Sequence, residues 1–147
     1  MVLMTIDDIM LEWDKDKKID STSLDTESLH VPELHHKYHK MLSEENRVYR
    51  RMVARIDELR AIRWQYFSGK LDEDTLTKNG WEPFDLKVVK QDVQRFMDGD
   101  IVLNRYVIEL GDQKEKIDLI KSIMTMVSNR SFQINNAIKW QQFLTGQ

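Results

Sequence analysis

Six arginines lie within seventeen consecutive residues near the middle of the chain, and Trp64, Tyr66 and Phe67 follow directly. Within this stretch only Asp57 and Glu58 offset their charge. Guanidinium groups neutralise backbone phosphates, and exposed aromatic rings give unpaired bases a surface on which to stack. The pattern therefore fits binding of a single nucleic-acid strand without sequence preference. An ordinary solvated face, with the aromatic side chains in the core, explains the same residues equally well.

On a helix, most of these arginines share one side. Four of them fall within an arc of about 140° at the helical repeat: Arg47, Arg50, Arg51 and Arg55. This arc faces away from the apolar side chains of Met52 and Leu59, whereas Arg60 and Arg63 lie nearer the apolar stripe. A few phosphate contacts on one helix bind weakly, but repeating them around an oligomer makes binding strong through effective concentration.

Two clusters of polar residues raise the question of a metal site. All four histidines lie between His30 and His39, and His35 and His39 are one helical turn apart. No carboxylate or cysteine completes a zinc-type ligand set beside them in the sequence. Residues 72–74 open like a calcium loop, but the pattern lacks the third acidic position before a glycine and the terminal Glu. We expect solvated histidines, a surface loop over 70–85 and no bound metal.

The sequence contains no recognisable catalytic motif. It has no Gly-rich phosphate loop, no Gly-x-Ser-x-Gly elbow and no paired His-Glu metal helix. The absence of cysteine excludes disulfides, zinc ribbons and thiol catalysis, and it favours an intracellular location. No apolar run reaches the length of a membrane span, and the N-terminus does not follow the pattern of a secretion signal. We expect a non-enzymatic protein that needs no cofactor and does not contact a membrane.

Composition predicts a single helix-rich domain over residues 1–147. Hydrophobic residues make up 41% of the chain and charged residues 32%, while five Gly and two Pro are too few for the turns of a many-stranded fold. The charge is uneven, with a net −5 over 1–31, +4 over 32–70 and −2 over 71–147. The only positive third is thus the arginine-bearing stretch.

Residues 32–69 predict one long basic helix, because Pro32 and Gly69 bound a stretch that contains no other Pro or Gly. Apolar residues recur along it in steps of four and three: Leu34, Tyr38, Met41, Val48, Met52, Leu59, Ile62 and Tyr66, with a second row at Leu42, Tyr49 and Ile56. Glu45 and Arg55 interrupt the stripe. This imperfect heptad pattern predicts coiled-coil-like packing within a bundle or helical hairpin.

Shorter helices are predicted on both sides of the long one. Thr5 and Asp8 form a capping-box pattern that starts an amphipathic N-terminal helix, and an acidic linker follows up to residue 31. Beyond the loop, Asp85 is placed to cap a helix through about Met97, with three apolar residues buried: Val89, Val93 and Phe96. Asp98-Gly99-Asp100 then separates it from a helix over 101–128.

The last predicted helix is capped by Ser131, after a break at residues 129–131. It is apolar around much of its circumference, so we expect it to be buried against other copies of the chain. Its candidate oligomerisation residues are Phe132, Ile134, Ile138, Trp140, Phe143 and Leu144. The overall expectation is an all-α hairpin or bundle that assembles as a homo-oligomer through its helical part at 85–144.

Taken in order, several segments resemble one known family over nearly the whole chain. They are Asp20-Ser21-Thr22, the basic helix ending in Tyr66-Phe67-Ser68-Gly69, then Val89-Lys90-x-Asp92-Val93 and Arg130-Ser131-Phe132-x-Ile134-x-Asn136-Ala137-Ile138. In this combination the chain resembles the UvsY recombination mediators of tailed phages. The resemblance implies a small helical protein of the host cytoplasm that binds single-stranded DNA and forms a ring-like homo-oligomer. It also implies help for a RecA-type phage recombinase in loading onto strands coated by single-strand-binding protein.

In that family, basic residues just before the aromatic-aromatic-Ser-Gly segment are implicated in DNA binding. The resemblance carries Arg63 over directly, whereas the second basic position falls on Ala61, with Arg60 beside it. This departure shifts weight to Arg51 and Arg55. The full candidate DNA-binding set is Arg47, Arg50, Arg51, Arg55, Arg60, Arg63, Tyr66 and Lys70. The family's C-terminal region serves oligomerisation, in agreement with the apolar helix at 132–144.

Two other interpretations stay open at this stage. The chain could be a purely structural helical scaffold or adaptor whose arginines pair with acidic residues of a partner. It could also regulate the recombinase by direct contact through the acidic N-terminal helix. The apolar face available for that contact comprises Ile6, Ile9, Met10 and Trp13.

Overall fold

The computed structural model describes residues 4–146, which form five α-helices and no β-strand. The helices are α1 (Ile6–Asp16), α2 (Leu24–Phe67), α3 (Glu73–Asn79), α4 (Val93–Asp98) and α5 (Ile101–Thr145). The predicted all-α class is confirmed. No helix in this range is both long and apolar enough to cross a membrane.

The helices pack into two compact units. The terminal unit holds the residues up to Arg47 together with those from Lys114 onward, and the central unit is Val48–Gln113. Helices α2 and α5 each contribute one part to either unit, with residues 24–47 and 114–145 in the terminal unit and residues 48–67 and 101–113 in the central unit. Within each unit the two parts run antiparallel, as in a helical hairpin.

The capping box predicted for α1 is confirmed. The Thr5 hydroxyl accepts from the backbone N–H of Asp8 at 3.1 Å, and the Asp8 carboxylate accepts from the backbone N–H of Thr5 at 2.9 Å. Two of the four orphan donors of the first turn are thereby satisfied. The helix then buries Ile9 in the core of the terminal unit.

The core of the terminal unit lies between α1, the first part of α2 and the last part of α5. Its buried members are Ile9, Leu34, Tyr38, Ile120, Ile123 and Val127. The Trp13 ring contacts Tyr38 edge-on, with centroids 5.7 Å apart. Glu45, which interrupts the apolar stripe of α2, is buried and pairs with Lys116 at 3.3 Å. The polar interruption is therefore a paired position facing α5 within the terminal unit.

The predicted start of α2 at Pro32 is wrong, because the helix begins eight residues earlier at Leu24. A proline inside a helix costs about 3 kcal/mol, since it removes one backbone donor and crowds the preceding turn. Contacts of the added turns offset this cost. Leu24 is buried, and Glu27 forms an ion pair of 2.9 Å with Arg130.

The predicted break at residues 129–131 is also wrong, because α5 continues through it. Arg130 is only 3% exposed. Its guanidinium donates to the backbone carbonyls of Asp16 and Lys18 and to the carboxylate of Glu27, each at 2.9 Å. Residues that resemble a turn in sequence thus anchor the end of α1 to a continuous helix.

Asp16 joins the end of α1 to α2 through two hydrogen bonds. Its Oδ2 atom accepts from Lys37 Nζ at 2.6 Å and from the Tyr38 hydroxyl at 2.8 Å. Burial alone raises the pKa of Asp16, but these two hydrogen bonds and the nearby positive charge together outweigh burial and hold the pKa below its usual value. A lowered pKa contributes stability above the unfolded value of about 4, and this stability is lost as the pH falls through the folded value.

We therefore expect the free energy of unfolding to fall as the pH drops below about 4, and to fall less steeply in Asp16→Asn. Urea unfolding at a series of pH values measures both slopes. Tyr38→Phe is the control, because it keeps the ion pair with Lys37 and with it most of the slope. The same pH slope in Asp16→Asn as in the wild type would contradict this assignment.

The central unit has a second core. It lies between the last part of α2, the first part of α5 and the segment that connects the two helices. Its buried members are Ile56, Phe67, Val93, Met97 and Leu103, with Leu59, Tyr66, Phe84, Val88, Phe96, Tyr106 and Leu110 packed around them. At the end of α2, Gly69 has a φ of 71° and closes the helix as predicted. The backbone N–H of Lys70 then donates to the carbonyl of Gln65 at 2.9 Å.

The predicted loop over 70–85 contains a helix that sequence reasoning missed. The carboxylate of Asp72 accepts from the backbone N–H of Thr75 at 3.0 Å and caps α3. Gly80, with a φ of 69°, ends it in the left-handed conformation. Acidic residues that suggested the start of a calcium loop thus form the cap and first turn of a short helix.

The helix predicted from Asp85 to Met97 is wrong over most of its length, because α4 spans only Val93–Asp98. Tertiary contacts hold the preceding chain out of a helix. The Tyr66 hydroxyl donates to the carbonyl of Glu82 at 2.8 Å, and the Phe84 ring packs against Phe67 with centroids 5.1 Å apart. Val89, predicted to be buried, is 64% exposed.

Candidate nucleic-acid interface

The four arginines of the predicted arc are all exposed on α2. Arg50, Arg51 and Arg55 belong to the central unit, and Arg47 is the last residue of the first segment of the terminal unit. Ile56 and Phe67, buried in the central core, lie on the opposite side of the helix. We call Arg50, Arg51 and Arg55 the arginine face; it presents three guanidinium groups to solvent.

Arg55 is the member of this face with a partner ring. Its guanidinium carbon lies 5.8 Å from the centroid of the Tyr106 ring on α5. A distance near 6 Å is at the outer limit of a useful cation–π contact, and at an exposed site such a contact is worth about 0.5–1 kcal/mol. The side chain can therefore leave the ring for a phosphate at small cost.

Arg60 is exposed but lies on the other flank of α2. It lines a cleft of about 300 Å³ together with Gln94 and Asp98 of α4 and Asn104 of α5. Its surroundings thus include the acidic side chain of Asp98. The structure does not bring Arg60 onto the arginine face.

Arg63 is not at the surface at all. It is 6% exposed, and its Nε and Nη2 atoms donate to the two carboxylate oxygens of Asp100 at 2.6 and 2.8 Å. Three aromatic centroids lie around its guanidinium carbon, at 4.3 Å for Tyr66, 4.9 Å for Phe67 and 4.6 Å for Trp81. A bidentate, enclosed arginine of this kind fixes the positions of its neighbours.

Asp100 extends this pair into the start of α5. Its Oδ1 atom also accepts from the backbone N–H of Val102 at 3.1 Å, as an N-terminal cap does. The sequence indicates Asp100 as a helix start but carries no signal for its pairing with Arg63. This buried ion pair was missed by sequence reasoning.

Comparison with known proteins decides the family. The family model described as "Recombination, repair and ssDNA binding protein UvsY" matches residues 12–147. The chain belongs to the UvsY family. The resemblance deduced from its ordered segments is thereby confirmed.

The UvsY fold is also found among solved structures. One crystal form of the recombination mediator protein UvsY of bacteriophage T4 superposes with a TM-score of 0.83 at 21% identity, covering 95% of this chain and 99% of that one. A second crystal form gives a TM-score of 0.82 at 22% identity, with coverage of 97% and 98%. No curated protein matches the sequence.

Two further candidates for DNA contact in this UvsY-family chain are placed very differently. Tyr66 is half-buried, and its ring packs against Phe67, Trp81 and Phe84 with centroids 5.2 to 5.7 Å apart. It is therefore part of the aromatic cluster around Arg63. Lys70 is exposed just beyond the end of α2.

The candidate oligomerisation residues of this UvsY-family chain are mostly exposed. The fractional exposures are 70% for Phe132, 36% for Ile138, 60% for Trp140, 71% for Phe143 and 65% for Leu144. Ile134 differs from them, because it is 2% exposed and packs within its own terminal unit. The rings of Trp140 and Phe143 stack with centroids 5.5 Å apart.

The histidine cluster shows no grouping typical of a metal site. His35 and His39 stack with ring centroids 6.1 Å apart, and His30 Nδ1 lies 2.8 Å from a carboxylate oxygen of Glu33. Between residues 4 and 146, no three side chains of His, Cys, Asp or Glu come together as a metal site would require.

Proposed function

We propose that this UvsY-family protein is a recombination mediator that loads a RecA-type recombinase onto DNA covered by single-strand-binding protein. The observation that carries the proposal is the arginine face of α2. It presents three exposed guanidinium groups, and the chain belongs to a family whose description includes binding of single-stranded DNA. In this role the protein binds and positions strands and catalyses no reaction itself.

The contacts that we propose are to phosphates, and they come from Arg50, Arg51 and Arg55. Arg47 and Lys70, both exposed, supply further positive charge along the strand. Arg63 is left out of the contacting set, because its side chain is buried and its Nε and Nη2 atoms donate to the carboxylate of Asp100. Phosphate contacts carry no sequence information, so one strand is bound about as well as another.

Several copies of the chain make this weak contact useful. The exposed apolar residues at the end of α5 bring copies together as a ring-like homo-oligomer, which multiplies the arginine faces along one strand. A strand held in this extended form releases its coat of single-strand-binding protein and accepts the recombinase.

Arg50→Ala/Arg51→Ala is expected to weaken binding to oligo-dT and to flatten its salt dependence. For single strands the slope of log K against log salt is about 0.7 per phosphate contact, so losing two contacts lowers it by about 1.4 per subunit. Fluorescence anisotropy at a series of salt concentrations measures this slope. The matched control is Arg95→Ala/Arg105→Ala, which removes two exposed arginines of the same unit outside this face.

The same three proteins test the mediator role. Labelled recombinase is added to oligo-dT already coated with single-strand-binding protein, and the recombinase bound to the strand is measured over time. We expect the wild type and the Arg95/Arg105 control to speed loading, and the Arg50/Arg51 variant to fail. Binding without any gain in loading would refute the mediator role, and equal binding by all three proteins would refute the arginine face.

A further inference from the structure

A cleft of about 330 Å³ opens in the central unit, on the same side of α2 as the arginine face. Arg55, Glu58 and Ile62 line it from α2, each three or four residues beyond the last. Arg51 lies one turn before Arg55 on this side of the helix. A strand whose phosphates contact Arg51 and Arg55 therefore passes the mouth of the cleft.

The other walls of the cleft combine aromatic and polar side chains with the aliphatic Leu59 and Val102. Tyr106 comes from α5, Trp81 from the segment after α3, and Asn79 from the end of α3. The Trp81 ring is held by the aromatic cluster, because the guanidinium carbon of Arg63 lies 4.6 Å from its centroid and the centroid of the Tyr66 ring 5.7 Å away. Trp81 is thus fixed by its neighbours, and the Tyr106 ring packs on the central core and carries the loose cation–π contact of Arg55.

These walls suit a neutral planar ring better than a phosphate. The carboxylate of Glu58 repels an anion, but it accepts hydrogen bonds from the N–H groups on a base edge. Aromatic side chains stack on the faces of unpaired bases, and a volume of about 300 Å³ is at the lower end of small-ligand sites. Arg55 at the mouth therefore suits a phosphate, and the carboxylate of Glu58 inside suits the edge of a base.

We propose that this cleft takes one unpaired nucleobase of the bound strand, stacked on Tyr106 and walled by Trp81, with Glu58 at its edge. Arg55 moves off the Tyr106 ring to the neighbouring phosphate as the base enters. The proposal rests on the single-strand binding proposed above and adds base contacts to it. A stacked base adds recognition of unpaired DNA to the electrostatic contacts with phosphates, because paired bases are not available for stacking.

The test compares an ordinary oligo-dC strand with an abasic strand of the same length and charge. We expect the wild type to bind the ordinary strand at least about fivefold more tightly, which is the lower end for one stacked base. Tyr106→Leu removes the ring, so its affinities for the two strands should become equal. Tyr106→Phe keeps the ring and should keep the wild-type ratio.

A second variant guards against a folding defect in Tyr106→Leu. Asn79 is exposed, so Asn79→Trp fills the cleft from its rim without changing the core, and it should also bring the ratio to one. The Arg50→Ala/Arg51→Ala protein should bind both strands more weakly while keeping their ratio.

The possible failures point to different conclusions. Equal binding of the two strands by the wild type would overturn the base site and leave single-strand binding intact. A wild-type ratio that survives in both Tyr106→Leu and Asn79→Trp would also overturn it, since the base contacts would then lie elsewhere. Failure of the wild type to bind either strand would overturn the proposed function itself.

Discussion

Arg63→Ala is expected to destabilise the protein by about 3–5 kcal/mol, because it leaves the carboxylate of Asp100 buried and unpaired. The two hydrogen bonds of this pair are 2.6 and 2.8 Å long, and both side chains are more than nine-tenths buried. Urea unfolding measures the loss. Arg60→Ala is the matched control, since an exposed arginine three residues away should change the free energy of unfolding by no more than about 0.5 kcal/mol.

Loss of DNA binding in an Arg63 variant has two explanations, a lost DNA contact or a lost positioning role. The family resemblance assigns Arg63 to DNA contact, whereas its burial assigns it to positioning the aromatic cluster and the start of α5. Asp100→Asn distinguishes the two roles by the direction in which DNA affinity changes. It removes the acidic partner but keeps the arginine, so a contacting Arg63 would bind DNA more tightly, and a positioning Arg63 would bind it no better. Tighter binding by a folded Asp100→Asn protein would contradict the positioning role.

Replacing the whole pair gives a further check. Buried ion pairs exchanged for apolar residues of similar volume are often neutral in stability. We therefore expect Arg63→Met/Asp100→Leu to recover most of the stability that Arg63→Ala loses. If DNA binding recovers with stability, a direct charge contact from Arg63 is excluded.

Local patterns in the sequence were sufficient to predict the helical class and some of the helix boundaries. The Thr5 capping box, the Gly69 stop and the separation of two helices at Asp98-Gly99-Asp100 all appear in the structure. Each depends on contacts between residues a few positions apart. Such contacts can be read directly from spacing.

Two of the errors, the break at residues 129–131 and the helix from Asp85, share one cause, which is that long-range contacts override local propensity. Arg130 lies in a segment that resembles a turn, but it anchors residues more than a hundred positions away and keeps α5 continuous. Phe84 follows Pro83 before an apparent helix, but its packing on Phe67 holds the chain in another conformation. Neither partner is encoded by spacing along the chain.

In the candidate site too, some positions follow from local spacing and others depend on residues far along the chain. The exposure of Arg50, Arg51 and Arg55 follows from helical periodicity, so the sequence was enough to predict it. Arg63 lies on the same helix, but its fate depends on Asp100, thirty-seven residues further along the chain. Tyr106 is not among the candidate site residues that the sequence singles out, and its place in the cleft emerges from the meeting of α2 and α5 in the central unit.

Trp140→Ser/Phe143→Ser is expected to reduce the mass of the assembly in solution to that of smaller species, down to a single chain. The two rings stack on each other while remaining 60% and 71% exposed, so they form an apolar surface that the described chain leaves uncovered. Exposed apolar surface of this kind marks an interaction site. Light scattering measures the mass, and circular dichroism checks that the helices remain.

These substitutions test assembly more cleanly than deletion of the last helical turns. A truncation before Phe132 also removes Ile134, which packs within its own unit, and Gln141, which donates to the carbonyl of Ser21 at 2.9 Å. A change of mass in such a truncation would mix lost folding with lost assembly. The matched control is Leu11→Ser/Leu29→Ser, two exposed apolar residues elsewhere in the terminal unit.

The consequence for DNA binding follows from effective concentration. Linking weak sites can raise overall affinity by roughly 10²–10⁴-fold without any new contact, so dispersing the subunits should remove a gain of that order on a long strand. A strand short enough to meet only one arginine face should bind the Trp140/Phe143 variant and the wild type equally. An unchanged mass, or an equal loss of affinity on the short strand, would refute the role of this surface in assembly-driven binding.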